Sequence, residues 1–319
     1  MASFQQRIFP AGVCVGISTC LVGEPIRYDG GHKRDDRLVD ELSERVRLVP
    51  VCPEMELGLG APREPMDLYG NPENPRLVTS TSGADLTEKM NIWSDARVGE
   101  LRHEPVQGFV LKSKSPSCGL SSAKIYEPDG VRFQLGMGLF ARRFMQTALW
   151  VPVAEESHLQ SEAAVAAFLE RVGTMVQYSA DVDTASGVGA IVAFHSRHKY
   201  QLLAHNERVY RQMGPLVANA KTIIEKEGRA SVVNAYRALL FEALNTPITV
   251  NAHVNTLQHI AGYFKQQLNE TEKQKLQNAI HDFRRGTETL HAPLQLLQQN
   301  VEKFKNNYLA AQTYLYPYR

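Results

Sequence analysis

The chain has 319 residues, 43% of them hydrophobic and 22% charged, a balance that describes a globular protein with room for two domains. No apolar run is long enough to span a bilayer, and the opening stretch MASFQQRIFPAGVCVGIS lacks the basic, apolar and small-residue pattern of a secretory signal. With four cysteines and no such signal, the expected compartment is the reducing cytoplasm, where cysteine is more often free, catalytic or metal-bound than disulfide-paired.

Taken in chain order, the first strand signal is VCVGIST (13–19), followed by the helical pattern DRLVDELSERV (36–46) and a second strand, RLVPV (47–51). The periodicity of NIWSDARVGELRH (91–103) predicts a helix, GFVLKS (108–113) a strand, GLFARRFMQTA (138–148) a helix and LWVPVAE (149–155) a strand. AVAAFLERVGTMVQYSA (164–180) closes the series as a helix. This alternation predicts an α/β N-terminal domain with a mainly parallel sheet, residues 1–180. DVDTASGVGA (181–190) has the composition of a linker.

Beyond it the strand signals stop. Helical patterns run through 193–224, 229–245, 249–268, 272–286 and 291–315, with breaks expected at Gly214-Pro215, Gly228, Asn245-Thr246-Pro247, Asn269 and His291-Ala292-Pro293. Residues 191–319 are therefore expected to form an all-α domain. The net charge of +1 hides an asymmetry: residues 1–189 carry 19 basic against 25 acidic residues, and 190–319 carry 16 against 9. An acidic half joined to a basic half points to capture of a polyanion, nucleic acid foremost, by the second half.

Cys20, Cys52 and Cys118 each follow a predicted strand, after VCVGIST, RLVPV and GFVLKS. In an open parallel sheet these carboxyl ends share one edge, so thiols 32 and 66 residues apart in sequence can converge. Structural zinc favours four ligands and close Cys pairs, which are missing. Three thiols without an evident fourth ligand suit an iron–sulfur cluster with one iron open. The plain alternative is three unrelated buried thiols. Cys14 lies inside the first strand and reads as a core residue.

The loops around the three thiols are STCLVGEPIRYDGGHK (18–33), VCPEMELGLGAPREP (51–65) and KSKSPSCG (112–119). Together they resemble the thiouracil desulfidase (TudS-like) family over about residues 12–155. The segment beginning FHSRHKYQLLAH (194–205) looks like the YbgA-type domain, and the fusion resembles the bacterial tRNA 4-thiouridine desulfidases (RudS-like). The resemblance implies a [4Fe-4S] cluster held by Cys20, Cys52 and Cys118 and non-redox removal of sulfur at the open iron. It also implies a catalytic Glu54 and a catalytic serine, Ser115 first and Ser117 as the alternative.

Glu54 is two residues from a cysteine and suited to act as a general base toward water, or, without a catalytic role, to cap a helix. A serine hydroxyl both donates and accepts, which suits an amide-like ring. Arg27, Tyr28, Lys33, Arg63, Lys112 and Lys114 are candidate contacts to a base or phosphate, and Arg197, His198 and Lys199 are candidate RNA contacts. The expected activity is conversion of 4-thiouridine in tRNA to uridine with release of hydrogen sulfide. The rivals are a desulfidase of free thiouracil or thionucleosides, a non-catalytic RNA-binding redox sensor and, more distantly, a hydro-lyase.

Overall fold

The apolar runs at 13–19, 47–51, 108–113 and 149–155 form one parallel sheet in the computed structural model, which describes residues 9–103, 106–127 and 130–316. Its strands are β1 (Cys14–Ser18), β2 (Arg47–Val51), β5 (Val106–Leu111) and β8 (Val153–Glu155), in the order β2-β1-β5-β8. The helices α1 (Asp36–Ser43), α3 (Thr87–His103), α4 (Leu139–Thr147) and α5 (Glu162–Tyr178) follow the predicted periodicity, and a short α2 (Pro53–Glu56) follows β2. Asp35 caps α1 by accepting from the Leu38 N–H at 3.0 Å, and α1 buries Leu38, Val39 and Leu42. Gly16 and Gly108 let large neighbours close on the sheet. A Cβ at Gly16 would meet the Phe109 ring at 2.4 Å, and one at Gly108 would meet Val172 at 2.7 Å.

A second sheet was not expected. It consists of β3 (Met66–Tyr69), β4 (Arg76–Thr79), β6 (Ala123–Tyr126) and β7 (Phe133–Gly136) in the order β4-β3-β6-β7, with only β3 and β6 parallel. Phe109, Phe140 and Phe144 pack edge-on in the core of the parallel sheet, with centroids 5.8 and 5.0 Å from Phe109. Each such ring buries surface worth about 2 kcal/mol or more. Phe9–Val176 form one compact unit and Gln177 onward belongs to the other. The architecture is α/β followed by all-α.

In the helical unit the stretch expected as a linker is packed. Ser179–Asp183 form a turn of π-helix in which Asp181 pairs with Arg197, Asp183 with Arg237, and the Val182 carbonyl accepts from Arg229. These ion pairs draw the segment onto the helices, so the helical unit starts near 177 rather than 191. The helices are α6 (Val188–His205), α7 (Glu207–Ala218), α8 (Ala220–Glu227), α9 (Arg229–Leu244), α10 (Val250–Ala261), α11 (Glu270–Arg285), α12 (His291–Lys303) and α13 (Asn307–Ala310). The break expected at Gly214-Pro215 is absent: α7 runs through Pro215 and stops at Ala218. The other expected breaks fall between helices or at their ends; Asn269 and Glu272 form a reciprocal cap at the start of α11. Tyr200, Leu257, Phe264, Leu297 and Leu315 lie in one core. Among the described residues no helix is long and apolar enough to cross a membrane.

Candidate active site

Three adjacent strands deliver three thiols. Cys52 follows β2 at the N-cap position of α2, Cys20 lies in the 3-10 turn Thr19–Leu21 after β1, and Cys118 lies in the turn after β5. Neighbouring strands are about 4.8 Å apart, so residues just past their ends share a small space. The chain crosses to opposite sides of β1 to reach β2 and β5, and this reversal opens a crevice where α/β sheets bind ligands. Cys20, Cys52 and Cys118 line one cavity there of about 380 Å³, together with Glu54, Lys112 and Ser115. Its size is that of a small-ligand site.

Local geometry explains the placement. Glu54 sits in the first turn of α2, only 8% exposed, and its Oε2 is 3.4 Å from the Cys52 Sγ and 4.0 Å from the Arg63 guanidinium. The Ser115 Oγ accepts from the N–H groups of Ser117 and Cys118 at 3.2 and 3.0 Å, which curls the loop around Cys118. That loop presses against Gly138, where a Cβ would come within 2.5 Å of the Ser117 carbonyl, so only glycine fits.

Burial pushes the Cys20 thiol up to about 11, with the charge of Glu54 adding to it and Lys112 and Arg27 opposing. Burial and then Glu54 push Cys52 up to about 12. Cys118 is raised well above the ordinary range by burial and Glu54, against a hydrogen bond from Ser18, and it senses both other cysteines. Thiols raised in this way are poor free nucleophiles, and a metal's positive charge is what would ionise them. No three His, Cys, Asp or Glu donors among the described residues are placed to hold a single metal ion. The thiols ring a cavity instead, all free of disulfides, and three soft donors around a volume suit a polynuclear iron–sulfur cluster.

The structure separates the two serines. Ser115 lines the cavity, whereas Ser117 is fully buried, does not line it, and its hydroxyl has no hydrogen-bond partner among the described residues. Tyr28, Lys33 and Lys114 are exposed where they line the cavity, and the Arg27 guanidinium lies 5.4 Å from the Tyr28 ring centroid. Lys114 holds a φ of 60°, in the left-handed region uncommon for a residue with a side chain. Lys112 is committed elsewhere: it pairs with Glu156 and donates to the Ser113 carbonyl and hydroxyl at 3.1 and 3.0 Å. Arg63 also points inward, donating to the carbonyls of Ile26 at 2.7 Å and Gly60 at 2.9 Å, which ties the loop after Cys20 to the loop after Cys52. Cys14 is buried in the core, as expected.

In the helical unit the expected RNA contacts divide. His198 is fully buried, stacked on Phe194 with centroids 3.8 Å apart, and so cannot reach RNA. Arg197 is paired with Asp181 inside the unit, and Lys199 lies half-buried over the Tyr200 ring. The reason is register: α6 starts at Val188, so this cluster lies mid-helix, where a stripe through Phe194, His198 and Gln201 faces the core. Sequence reasoning also missed Ser18, Ser113, Glu155 and Glu156, all buried at the same sheet edge as the cysteines. The available signal was a Glu-Glu doublet at the carboxyl end of a strand already assigned to that sheet.

Comparison with known proteins assigns both units. Residues 15–156 match the 2-thiouracil desulfurase family profile and residues 199–319 that of DUF1722, a family of unknown function. The protein YbgA of Escherichia coli, described as uncharacterized, is 34% identical over 126 residues, covering 40% of this chain and 73% of that protein. YbbK of Bacillus subtilis, also described as uncharacterized, is 30% identical over 108 residues, 32% of this chain and 71% of that protein. Among solved structures, the [4Fe-4S]-dependent thiouracil desulfidase TudS shares 30% identity, spanning 46% of this chain and 93% of its own, with a TM-score of 0.39. The chain belongs to the 2-thiouracil desulfurase family through its α/β unit, which is joined to a YbgA-type helical unit.

Proposed function

We propose that the protein is an iron–sulfur-dependent desulfidase that hydrolyses the thiocarbonyl of 4-thiouridine in tRNA to uridine and hydrogen sulfide. The observation that carries this reading is the meeting of Cys20, Cys52, Cys118, Glu54 and Ser115 around one cavity. The three thiols would hold a [4Fe-4S] cluster, which when bound supplies an open iron as a Lewis acid for a soft sulfur. Glu54, beside the Cys52 thiol, takes a proton from water as its oxygen attacks the ring carbon and returns it to the departing sulfur. Water supplies two protons, one through Glu54; the carbon exchanges sulfur for oxygen, hydrogen sulfide leaves and no electron is transferred. The Ser115 oxygen already accepts two N–H groups, so its own proton is available to hold the pyrimidine edge.

A polynucleotide substrate is favoured by two surfaces. Around the cavity, Tyr28 offers a ring for a base, and Lys33 and Lys114 offer cations for phosphate. In the helical unit, a groove of about 700 Å³ between α10 and α11 is lined by Lys265, Lys273, His281 and Arg284 among amide and apolar side chains, with no carboxylate in its wall. The neighbouring groove between α11 and α12 carries Lys275 against Glu270, Asp282 and Glu288, with Glu270 paired to Lys273, so the excess of basic lining belongs to one side of α11. Free 4-thiouridine, its monophosphate and thiolated tRNA, offered to anaerobically purified protein, test the reading. Loss of thiouridine absorbance fastest on tRNA is expected. Turnover of the free nucleoside alone would establish the thionucleoside enzyme instead, and no turnover with an intact cluster would favour a redox sensor.

A further inference from the structure

The loop bearing Ser115 and Cys118 is pinned at both ends by two consecutive glutamates. Before the loop's turn, Glu156 accepts from the Ser113 N–H and hydroxyl, both at 2.6 Å, and from the Lys112 ammonium. After it, Glu155 accepts from the N–H groups of Leu120 and Ser121 at 2.7 and 3.1 Å and from the Ser122 hydroxyl at 2.5 Å. Ser122 in turn accepts from the Lys114 N–H at 2.7 Å. The Lys112 N–H donates to the Ser18 hydroxyl at 2.9 Å, and Ser18 hydrogen-bonds the Cys118 thiol. Glu155 is 1% and Glu156 8% exposed. Burying carboxylates costs several kcal/mol unless each oxygen is paired, and here the donors that pair them come almost wholly from this one loop.

We infer that Glu155 and Glu156 are positioning residues that hold the Cys118 thiol and the Ser115 hydroxyl in place before any cofactor is present. The inference rests on the reading of Cys118 as a functional thiol and needs no particular substrate. Glu156 accepts from this loop through both oxygens, so an amide there must turn an NH2 toward one of the donors, whereas one oxygen of Glu155 takes all three of its loop donors and only an apolar side chain removes them. Glu156→Gln and Glu155→Leu therefore keep most of the volume but free part of the loop, and local opening exposes Cys118.

The test is alkylation of each cysteine in the cofactor-free full-length protein, followed by mass spectrometry, with iron and acid-labile sulfide measured after anaerobic reconstitution. Glu155→Leu and Glu156→Gln are expected to raise the Cys118 rate about tenfold or more, the effect of losing hydrogen bonds to a buried charge, with Cys14 unchanged. Cluster content falls in parallel. Ser122→Ala and Ser113→Ala, which each remove one donor, are expected to give a smaller rise and decide the matter if either glutamate variant does not fold. A wild-type Cys118 rate with full iron content would overturn the inference, and so would an equal rise at Cys14, which would mean general loosening. Because neither readout requires turnover, a loaded protein that desulfurates nothing would remove the proposed activity and leave this inference standing.

Discussion

The two units bury different kinds of polarity. In the α/β unit, Glu54, Glu155 and Glu156 are buried with Ser18, Ser113 and Ser117 at one end of one sheet. In the helical unit the buried polar groups include His198, Gln201, Gln312 and Thr313, which bond to neighbouring backbone and to one another: His198 to the Phe194 carbonyl, Gln312 to the Ser196 carbonyl at 2.8 Å, and Thr313 to Gln201 at 3.2 Å. Burying carboxyl groups is far more costly than burying amides and hydroxyls, so the α/β unit concentrates its costliest burial at the sheet edge that also carries the three thiols. The helical unit uses Arg197, Arg229 and Arg237 in internal bonds and leaves Lys265 and Arg284 exposed, where under the proposed function they would act at long range on a polyanion.

The hardest test of that division is loss of a thiol. Cys118→Ala is expected to abolish iron retention and turnover, whereas Cys14→Ala, a core change outside the cavity, keeps both; the reverse pattern in iron analysis would break the assignment. Next in size is Glu54→Gln, expected to keep the cluster spectrum while turnover falls about 10²–10⁴-fold, the usual range for a positioned acid–base group. Ser115→Ala is expected to lower turnover about tenfold and to cost about 1–2 kcal/mol in denaturant melts, because two N–H groups lose their acceptor. Ser117→Ala deletes a buried hydroxyl with no hydrogen-bond partner among the described residues and should match wild type in both assays. On the helical side, joint Lys265→Glu and Arg284→Glu substitution should weaken tRNA binding about tenfold or more and flatten its salt dependence by roughly two phosphate contacts. Turnover of free 4-thiouridine should be untouched, and a tRNA affinity equal to wild type would break the groove reading.

How far the sequence could be read follows the same division. The parallel sheet is legible because its central strands, β1 and β5, are buried on both faces and appear as apolar runs. The second sheet is not: MDLY and AKIY alternate in burial over only four residues each, and RLVT and FQLG, the latter with three of its four residues exposed, do not alternate. The cysteines are legible because residues after parallel strands must share an edge. Glu155 and Glu156 occupy the same edge, yet a carboxylate at a strand end normally reads as solvated, and only the fold of a loop 33 to 44 residues earlier covers them. The cluster HSRHK looks like a basic surface, but its register within α6 depends on a helix start at Val188 that no strong capping residue marks.

The smallest expected effect concerns acid, and it probes the helical unit alone. His195 hydrogen-bonds through Nδ1 to the Tyr236 hydroxyl at 3.1 Å and stacks on Tyr210. Burial, with the charge of Lys199 adding to it, lowers its pKa to about 4, whereas an unfolded histidine titrates near 6.5. Between those values the unfolded chain binds the proton and the folded chain does not. Stability from the neutral ring is therefore complete above about pH 6.5 and is lost as pH falls toward 4. His195→Gln cannot titrate and keeps an acceptor for Tyr236. Whatever melting temperature it loses at pH 7.5 from the missing ring, the gap between wild type and variant should narrow as the buffer is taken from pH 6.5 to 4.5. A gap that stays constant or widens would mean that His195 is protonated in the folded protein, and the helical core would then contain the kind of buried charge that otherwise distinguishes the α/β unit.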